Sequence, residues 1–324
     1  MNKVAVIGLG SIATRHRNNL KRLFPDSILY AMSASGRIPN EEISDCDTLV
    51  ENLEELINHK PEMVIVASPA PYHCSHAIPL INAAIPTLIE KPVAAHMDDV
   101  ELLIDATNKN STPVLVGYCL RYLPSAQKIK TLLEQKVIGD IYNTFIQVGQ
   151  YLPSWRKDKD YRNSVSAQKK LGGGALLELS HELDYAQWLL GDLEHEFSIL
   201  RSTNELSLDV EDIADILLTT KRGGVCNIHL DFLQRTPQRT CSLIGSQGRL
   251  DCDLIANRIT LCTGKGVKEI YSEPEWDKNL MYVSMIQDFK KIIDEGSYSK
   301  SIISQSTNIV KLIECIKHNA KWSN

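Results

Sequence analysis

No apolar run in the 324 residues approaches the roughly 18 to 20 needed to span a bilayer. The eight cysteines include no CxxC pair and read as reduced, mostly buried thiols. Positive charge is in deficit. A formal net charge of -5 supplies no general attraction to polyphosphate, so neither nucleic acid nor membrane is an expected partner. The opening MNKVAVIGLG has no small-residue cleavage site and reads as a strand rather than a signal peptide, which makes a cytoplasmic location the expectation. Internal repeats and low-complexity tracts are absent as well. What is present is ordinary globular composition, 43% hydrophobic and 23% charged, in a chain too long for one core. Two domains are expected, 1–118 and 119–324, with a C-terminal helix that can pack back on the first.

The first third alternates short β-branched runs (4–7, 28–32, 63–67, 87–90 and 114–117) with amphipathic stretches (12–23, 49–58, 72–84 and 97–109). That is the pattern of a doubly wound parallel sheet with crossover helices, a Rossmann domain, in which ligands gather just after each strand. Beyond residue 117 the pattern predicts helices at 125–135 and 175–190 and strands at 141–151, 197–203, 213–219, 224–233, 240–244, 249–253, 258–262 and 267–271. Helices at 280–294 and 301–320 close the chain. Turns of two to six residues between successive strands imply an α/β domain with a large, mostly antiparallel open sheet.

Gly8-Leu9-Gly10-Ser11-Ile12-Ala13 follows the first strand and opens a helix, the setting that gives a GxGxx(G/A) match its weight. Gly8 permits the turn, Gly10 lets the backbone approach a pyrophosphate, and Ala13 keeps helix and strand close, while N–H groups at Ser11 and Ile12 face the phosphates. NAD-specific sites place an acid at the end of the next strand, where this chain has Ser33 through Arg37. A hydroxyl and a guanidinium suit a 2′-phosphate, so NADP(H) is favoured and NAD(H) remains possible. Ser33 and Arg37 also read as plain loop residues.

Three further strand ends carry polar groups: Ser68, Pro69 and His73; Glu90 and Lys91; and Tyr118 and Arg121. The first two sets are expected on the cofactor side and the third against substrate. Lys91, fixed by Pro92, can present an ammonium to a substrate oxygen, and equally suits a salt-bridged lysine at a domain edge. Continuous helix over 175–190 would align Glu178, His181 and Asp184 at i, i+3 and i+6, giving a general base with carboxylates to orient it. Alternatively His181 is a satisfied histidine at a helix end. Trp155 and Arg156 lie in an aromatic, basic loop (151–162) that can hold an acidic or nucleotide-linked sugar, or can serve as a surface or interface loop. Glu178 with His181, and His73 with His76, are only pairs, so no metal is expected.

The segments GLGSIATRH (8–16), VIVASPAPYH (64–73), EKP (90–92), GYCLRYLP (117–124) and GGGALLELSHELDYAQWLLG (172–191) together resemble the glucose-fructose oxidoreductase/inositol dehydrogenase (Gfo/Idh/MocA) family over nearly the whole chain. The resemblance implies an NAD(P)-dependent oxidoreductase acting on CH–OH groups of a carbohydrate, assembled as a homodimer or homotetramer. It implies that Lys91 is the catalytic lysine and His181 the catalytic histidine. Relatives carry an aspartate four residues before that histidine, where this chain has Leu177; Glu178, one residue on, is the expected substitute. Two other readings share the fold. One is a redox-neutral glycosidase or lyase working through tightly held cofactor, and the other a nucleotide-sensing regulator, which would need neither Lys91 nor His181.

Overall fold

Short strands without polar alternation need cover on both faces. The computed structural model describes residues 1–37, 43–155, 160–296 and 300–323. Among these, β1 (Lys3–Ile7), β2 (Ile28–Met32), β3 (Thr48–Val50), β4 (Met63–Val66), β5 (Thr87–Ile89) and β6 (Val114–Val116) form a parallel sheet in the order β3-β2-β1-β4-β5-β6. Val4, Val6, Met63 and Ile65 on its central strands are wholly buried. The crossovers are α1 (Ser11–Leu23), α2 (Leu53–Asn58), α3 (His73–Asn82) and α4 (Met97–Asn110). The strand order reverses between β1 and β4, the point outside which nucleotides bind in such sheets. β3 corrects the expected helix at 49–58. Leu49 and Val50 pair with Ala31 and Met32 of β2, and that non-local pairing overrides their helical pattern.

The remaining elements are α5 (Pro124–Glu134), β7 (Ile141–Gly149), α6 (Ala175–Glu178), α7 (His181–Leu190), β8 (Leu193–Arg201), β9 (Ile213–Thr220), β10 (Val225–Asp231), β11 (Gln238–Gly245), β12 (Gly248–Asp253), β13 (Arg258–Thr263), β14 (Gly266–Ser272), α8 (Leu280–Asp294), α9 (Lys300–Asn319) and β15 (Lys321–Ser323). The strands form a second sheet in the order β14-β13-β12-β11-β7-β10-β9-β8-β15. It is mostly antiparallel, with parallel joins at β7–β10 and β8–β15. Helices α5, α6 and α7 pack against one face. Along β7, Thr144, Ile146 and Val148 turn into that core while Tyr142 and Phe145 are exposed.

The chain divides into two compact units, Met1–Tyr118 with Asn279–Val310, and Cys119–Lys278 with Lys311–Asn324. In the first, α8 packs on α1, where Arg15 lies over the Tyr282 ring and the side chains of Asn19 and Asn279 bond to each other. No helix among the described residues is long and apolar enough to cross a membrane.

Candidate active site

In the first unit, β1 ends in a glycine turn whose two glycines do different work. Gly8 has φ +118°, and a Cβ there would sit 2.5 Å from the Ala67 carbonyl oxygen, so the turn itself forbids a side chain. Its N–H donates to Met32 O (2.8 Å), and its carbonyl accepts from the buried Arg17 guanidinium (2.9 Å), which Asp45 holds in turn (2.7 Å). At Gly10 a Cβ would meet nothing within 4 Å, so the protein leaves this backbone open to a ligand. Gly10 caps α1 in extended geometry without a side-chain acceptor. The first turn of α1 carries no acid, whereas α2 and α4 begin with Glu54 and Glu55, and Asp98 and Asp99. The positive end of α1 is therefore uncompensated at Ser11 and Ile12, while Ala13 is wholly buried against the strand. A dinucleotide's pyrophosphate fits this turn.

At the end of β2, Ser33 bonds to Ser35 (3.3 Å) and Arg37 is exposed. The acids that follow among the described residues are committed elsewhere, Asp45 to Arg17 and Asp47 to Lys21 (2.6 Å). Burial pushes the Asp47 carboxyl up, but Lys21 and the Leu29 N–H outweigh it and hold it below its ordinary value.

After β4, Ser68 and Pro69 lead into a turn pinned by His73. That imidazole is buried, and its ring nitrogens lie 2.8 Å from Pro92 O and 2.7 Å from Ser68 O. Burial, which outweighs both carbonyls, pushes its pKa down. His73 therefore ties the loop after β4 to the loop after β5. Glu90 is likewise buried, with its oxygens on His16 and on the Lys91 N–H. Lys91 itself is half-buried at the end of β5, followed by a cis peptide to Pro92.

In the second unit the expected continuous helix is broken. α6 stops at Glu178, Leu179 leaves helical geometry (φ −97°, ψ 24°), and His181 opens α7. Glu178, His181 and Asp184 therefore do not form one helical stripe. Two anchors explain the break. Glu211 accepts from the backbone at the start of α6, its carbonyl from Ala175 N (3.0 Å) and its carboxylate from Leu176 N (3.1 Å). On α7, the buried Glu182 is forked by Arg239 (2.7 and 3.1 Å) and the buried Asp184 by Arg121 (2.9 and 2.6 Å). Burial raises the Asp184 carboxyl above its ordinary value although Arg121 opposes it. Arg121 and Asp184 thus satisfy each other, and Tyr118, at the end of the first unit's strand segment, is buried.

The glycine run before α6 is a packing requirement. A Cβ on Gly173 would lie 2.6 Å from Val165 O, and one on Gly174, at φ +107°, would collide with the Glu211 carboxylate. Ser166, beside this run, donates to Glu178 (3.1 Å) and lines a cavity of about 300 Å³ with Leu152, Trp155, Asp160, Tyr161, Asn163 and Ser164. Trp155 rests edge-on against Phe232, and the Tyr161 hydroxyl donates to Leu206 O (3.1 Å). Arg162 forks Asp160. Arg156 lies outside the described residues. Among the described residues, no group of three or more His, Cys, Asp or Glu is placed to hold a metal ion.

Sequence reasoning missed His16, Arg17, Glu211 and Arg239. Arg17 had a usable signal, since Ala13, His16, Arg17 and Leu20 share one helical face, and a charged side chain on an apolar face needs a buried partner. Glu211 and Arg239 had none, because their partners are fixed by tertiary structure.

Residues 2–118 match the oxidoreductase family with an NAD-binding Rossmann fold, and residues 126–251 match the Gfo/Idh/MocA C-terminal domain. Myo-inositol 2-dehydrogenase of Thermotoga maritima is 26% identical over 309 residues, covering 91% of this chain and 89% of its own. D-glucoside 3-dehydrogenase of Escherichia coli is 25% identical, over 62% of this chain and 56% of its own. Among solved structures, levoglucosan dehydrogenase in complex with NADH and levoglucosan superimposes with a TM-score of 0.85 at 18% identity, over 98% of this chain and 96% of its own. The 3-ketoreductase KijD10 of Actinomadura kijaniata, in complex with NADP and TDP-benzene, gives 0.83 at 19% identity, over 99% and 98%. The glycine turn, the Glu-Lys-Pro strand end and the two matching domains lead to one conclusion: this chain belongs to the Gfo/Idh/MocA family of NAD(P)-dependent oxidoreductases.

Proposed function

We propose that the protein oxidises a secondary alcohol of a sugar or sugar derivative, or reduces the corresponding ketone, with NADP(H) favoured over NAD(H). The observation that carries this reading is the glycine turn. Gly10 is open, the α1 N-terminus lacks acids, and Lys91 stands at a strand end of the same sheet. NADP preference is supported by Ser33 and Arg37 at the end of β2, where, among the described residues, Asp45 is tied to Arg17 and Asp47 to Lys21. Gly8, Gly10, Ser11, Ile12 and Ala13 would hold the pyrophosphate, with Ser68 and Pro69 forming the adjoining strand-end loop. When bound, the nicotinamide supplies or accepts the hydride. His181 removes the proton from the reacting hydroxyl, Lys91 stabilises the oxygen as it becomes a carbonyl, and Glu178 assists His181. The sugar packs on Trp155 and Tyr161, with Asn163 and Ser164 available to its hydroxyls. The open face of the second sheet, with Phe145 and Phe197 exposed, is proposed to pair with a second copy.

Turnover of myo-inositol, methyl β-D-glucoside, glucose 6-phosphate and UDP-glucose, followed at 340 nm with NADP+ and NAD+, tests the reading. Lys91→Ala and His181→Ala should each lose about 100- to 10,000-fold in kcat while still binding NADPH. Full turnover in both variants would overturn the residue roles. Product formation without net absorbance change would replace the dehydrogenase by the redox-neutral reading.

A further inference from the structure

We propose that Glu90 and His16 form a buried positioning pair for Lys91, a role that rests on Lys91 being a catalytic group. Glu90 is 7% exposed and His16 is wholly buried, so each needs a partner inside the protein. They find each other across 74 residues, His16 Nε2 lying 2.6 Å from Glu90 Oε1. The other oxygen, Oε2, accepts the backbone N–H of Lys91 at 3.1 Å. Gly117 lies on the far side: a Cβ there would come within 3.1 Å of the carboxylate, so the absence of a side chain at 117 is what gives Glu90 its place. The His16 ring is steadied edge-on by Tyr282 of α8, centroids 5.9 Å apart.

His16 Nδ1 is buried with no partner among the described residues, so the ring is held through Nε2, which donates to the Glu90 carboxylate. Burial pushes the Glu90 carboxyl up, but the bond and charge of His16, then the charge and N–H of Lys91, hold it below its ordinary value. His73 from α3 is the further titratable group near enough to feel Glu90. The outcome is a fixed negative charge one residue from the lysine, which keeps the Lys91 backbone and ammonium in place at the strand end. Acid would undo it. Below its pKa Glu90 becomes neutral and the hold on Lys91 is lost; without His16, Lys91 alone opposes burial and this loss moves to higher pH.

The full-length protein, labelled with 15N-lysine, provides the test, since the Lys91 amide donates to Glu90 and its shift reports that carboxylate. Loss of one signal in Lys91→Arg assigns it. In the wild type the amide should titrate below about pH 4.3, the ordinary glutamate value. His16→Leu should raise the midpoint by at least about one pH unit, and His16→Gln, which keeps a donor, should restore it. With NADP+ and myo-inositol or methyl β-D-glucoside, whichever turns over, the acid limb of kcat in His16→Leu should follow the amide. Glu90→Gln should lose at least tenfold in kcat with KM and NADPH affinity unchanged. An unchanged amide midpoint in folded His16→Leu, or wild-type kcat in Glu90→Gln, overturns the pair's role while Lys91→Ala remains inactive. Retained turnover in Lys91→Ala would remove the reading of Lys91 and the positioning role with it.

Discussion

Two glycines two residues apart separate what a fold requires from what a ligand requires. Gly8→Ala forces a side chain onto φ +118° and into the Ala67 carbonyl, so it should destabilise the first unit by at least about 1–3 kcal/mol. Gly10 has φ −80° and empty space around its missing Cβ. Gly10→Ala should therefore stay within about 0.5 kcal/mol of the parent in urea unfolding, yet weaken NADPH binding at least tenfold by fluorescence titration. Equal stability losses in both variants would show that Gly10 also serves packing. The sequence made the turn readable because every group that defines it is local. It did not reveal how Arg17 and Asp45 lock the Gly8 carbonyl. The place of Arg17 with Ala13 and Leu20 on the buried face of α1 is the hint the sequence carries.

Between α6 and α7 the same limit appears one level up. The apolar periodicity of 175–190 describes one helix, and nothing local announces the break at Leu179. The break belongs to Glu211, holding the start of α6, and to Arg239 and Arg121, holding Glu182 and Asp184 of α7. The short strands β3 and β15 escaped for a related reason, since each exists only through pairing with β2 or β8. Buried ion pairs of this kind are costly to break and cheap to replace. Arg239→Met should leave the Glu182 carboxylate, 0% exposed, without its cation and cost about 3–5 kcal/mol. Adding Glu182→Leu should recover most of that loss, because an apolar pair needs no compensation. Urea unfolding of the single and double variants decides it. A double variant as unstable as the single one would mean that the pair sets the course of α7 and not merely its charge balance.

At the scale of the whole molecule, the open face of the nine-stranded sheet is the feature proposed to meet a second copy. It carries Phe145 and Phe197 exposed beside His229, which bonds to Asp215 (2.5 Å) and to Asp231 (3.0 Å). The Asp231 bond, with Asp215 adding to it, raises the His229 pKa above its ordinary value against the opposing effect of burial. The sign follows. A raised folded-state pKa gives stabilisation that is complete below about pH 6.5, the unfolded value, and is lost as pH rises through the folded value. His229→Asn should therefore lower Tm most near pH 5.5 and least in alkaline buffer. Phe145→Glu should separate the copies, since it places a charge in the middle of a desolvated face. Light scattering after size exclusion should then give about 36.3 kDa for the variant and a multiple of it for the wild type. A wild type already at the single-chain mass at micromolar concentration would remove the pairing proposal. The His229 pH dependence would survive that result, because both its partners lie on its own chain.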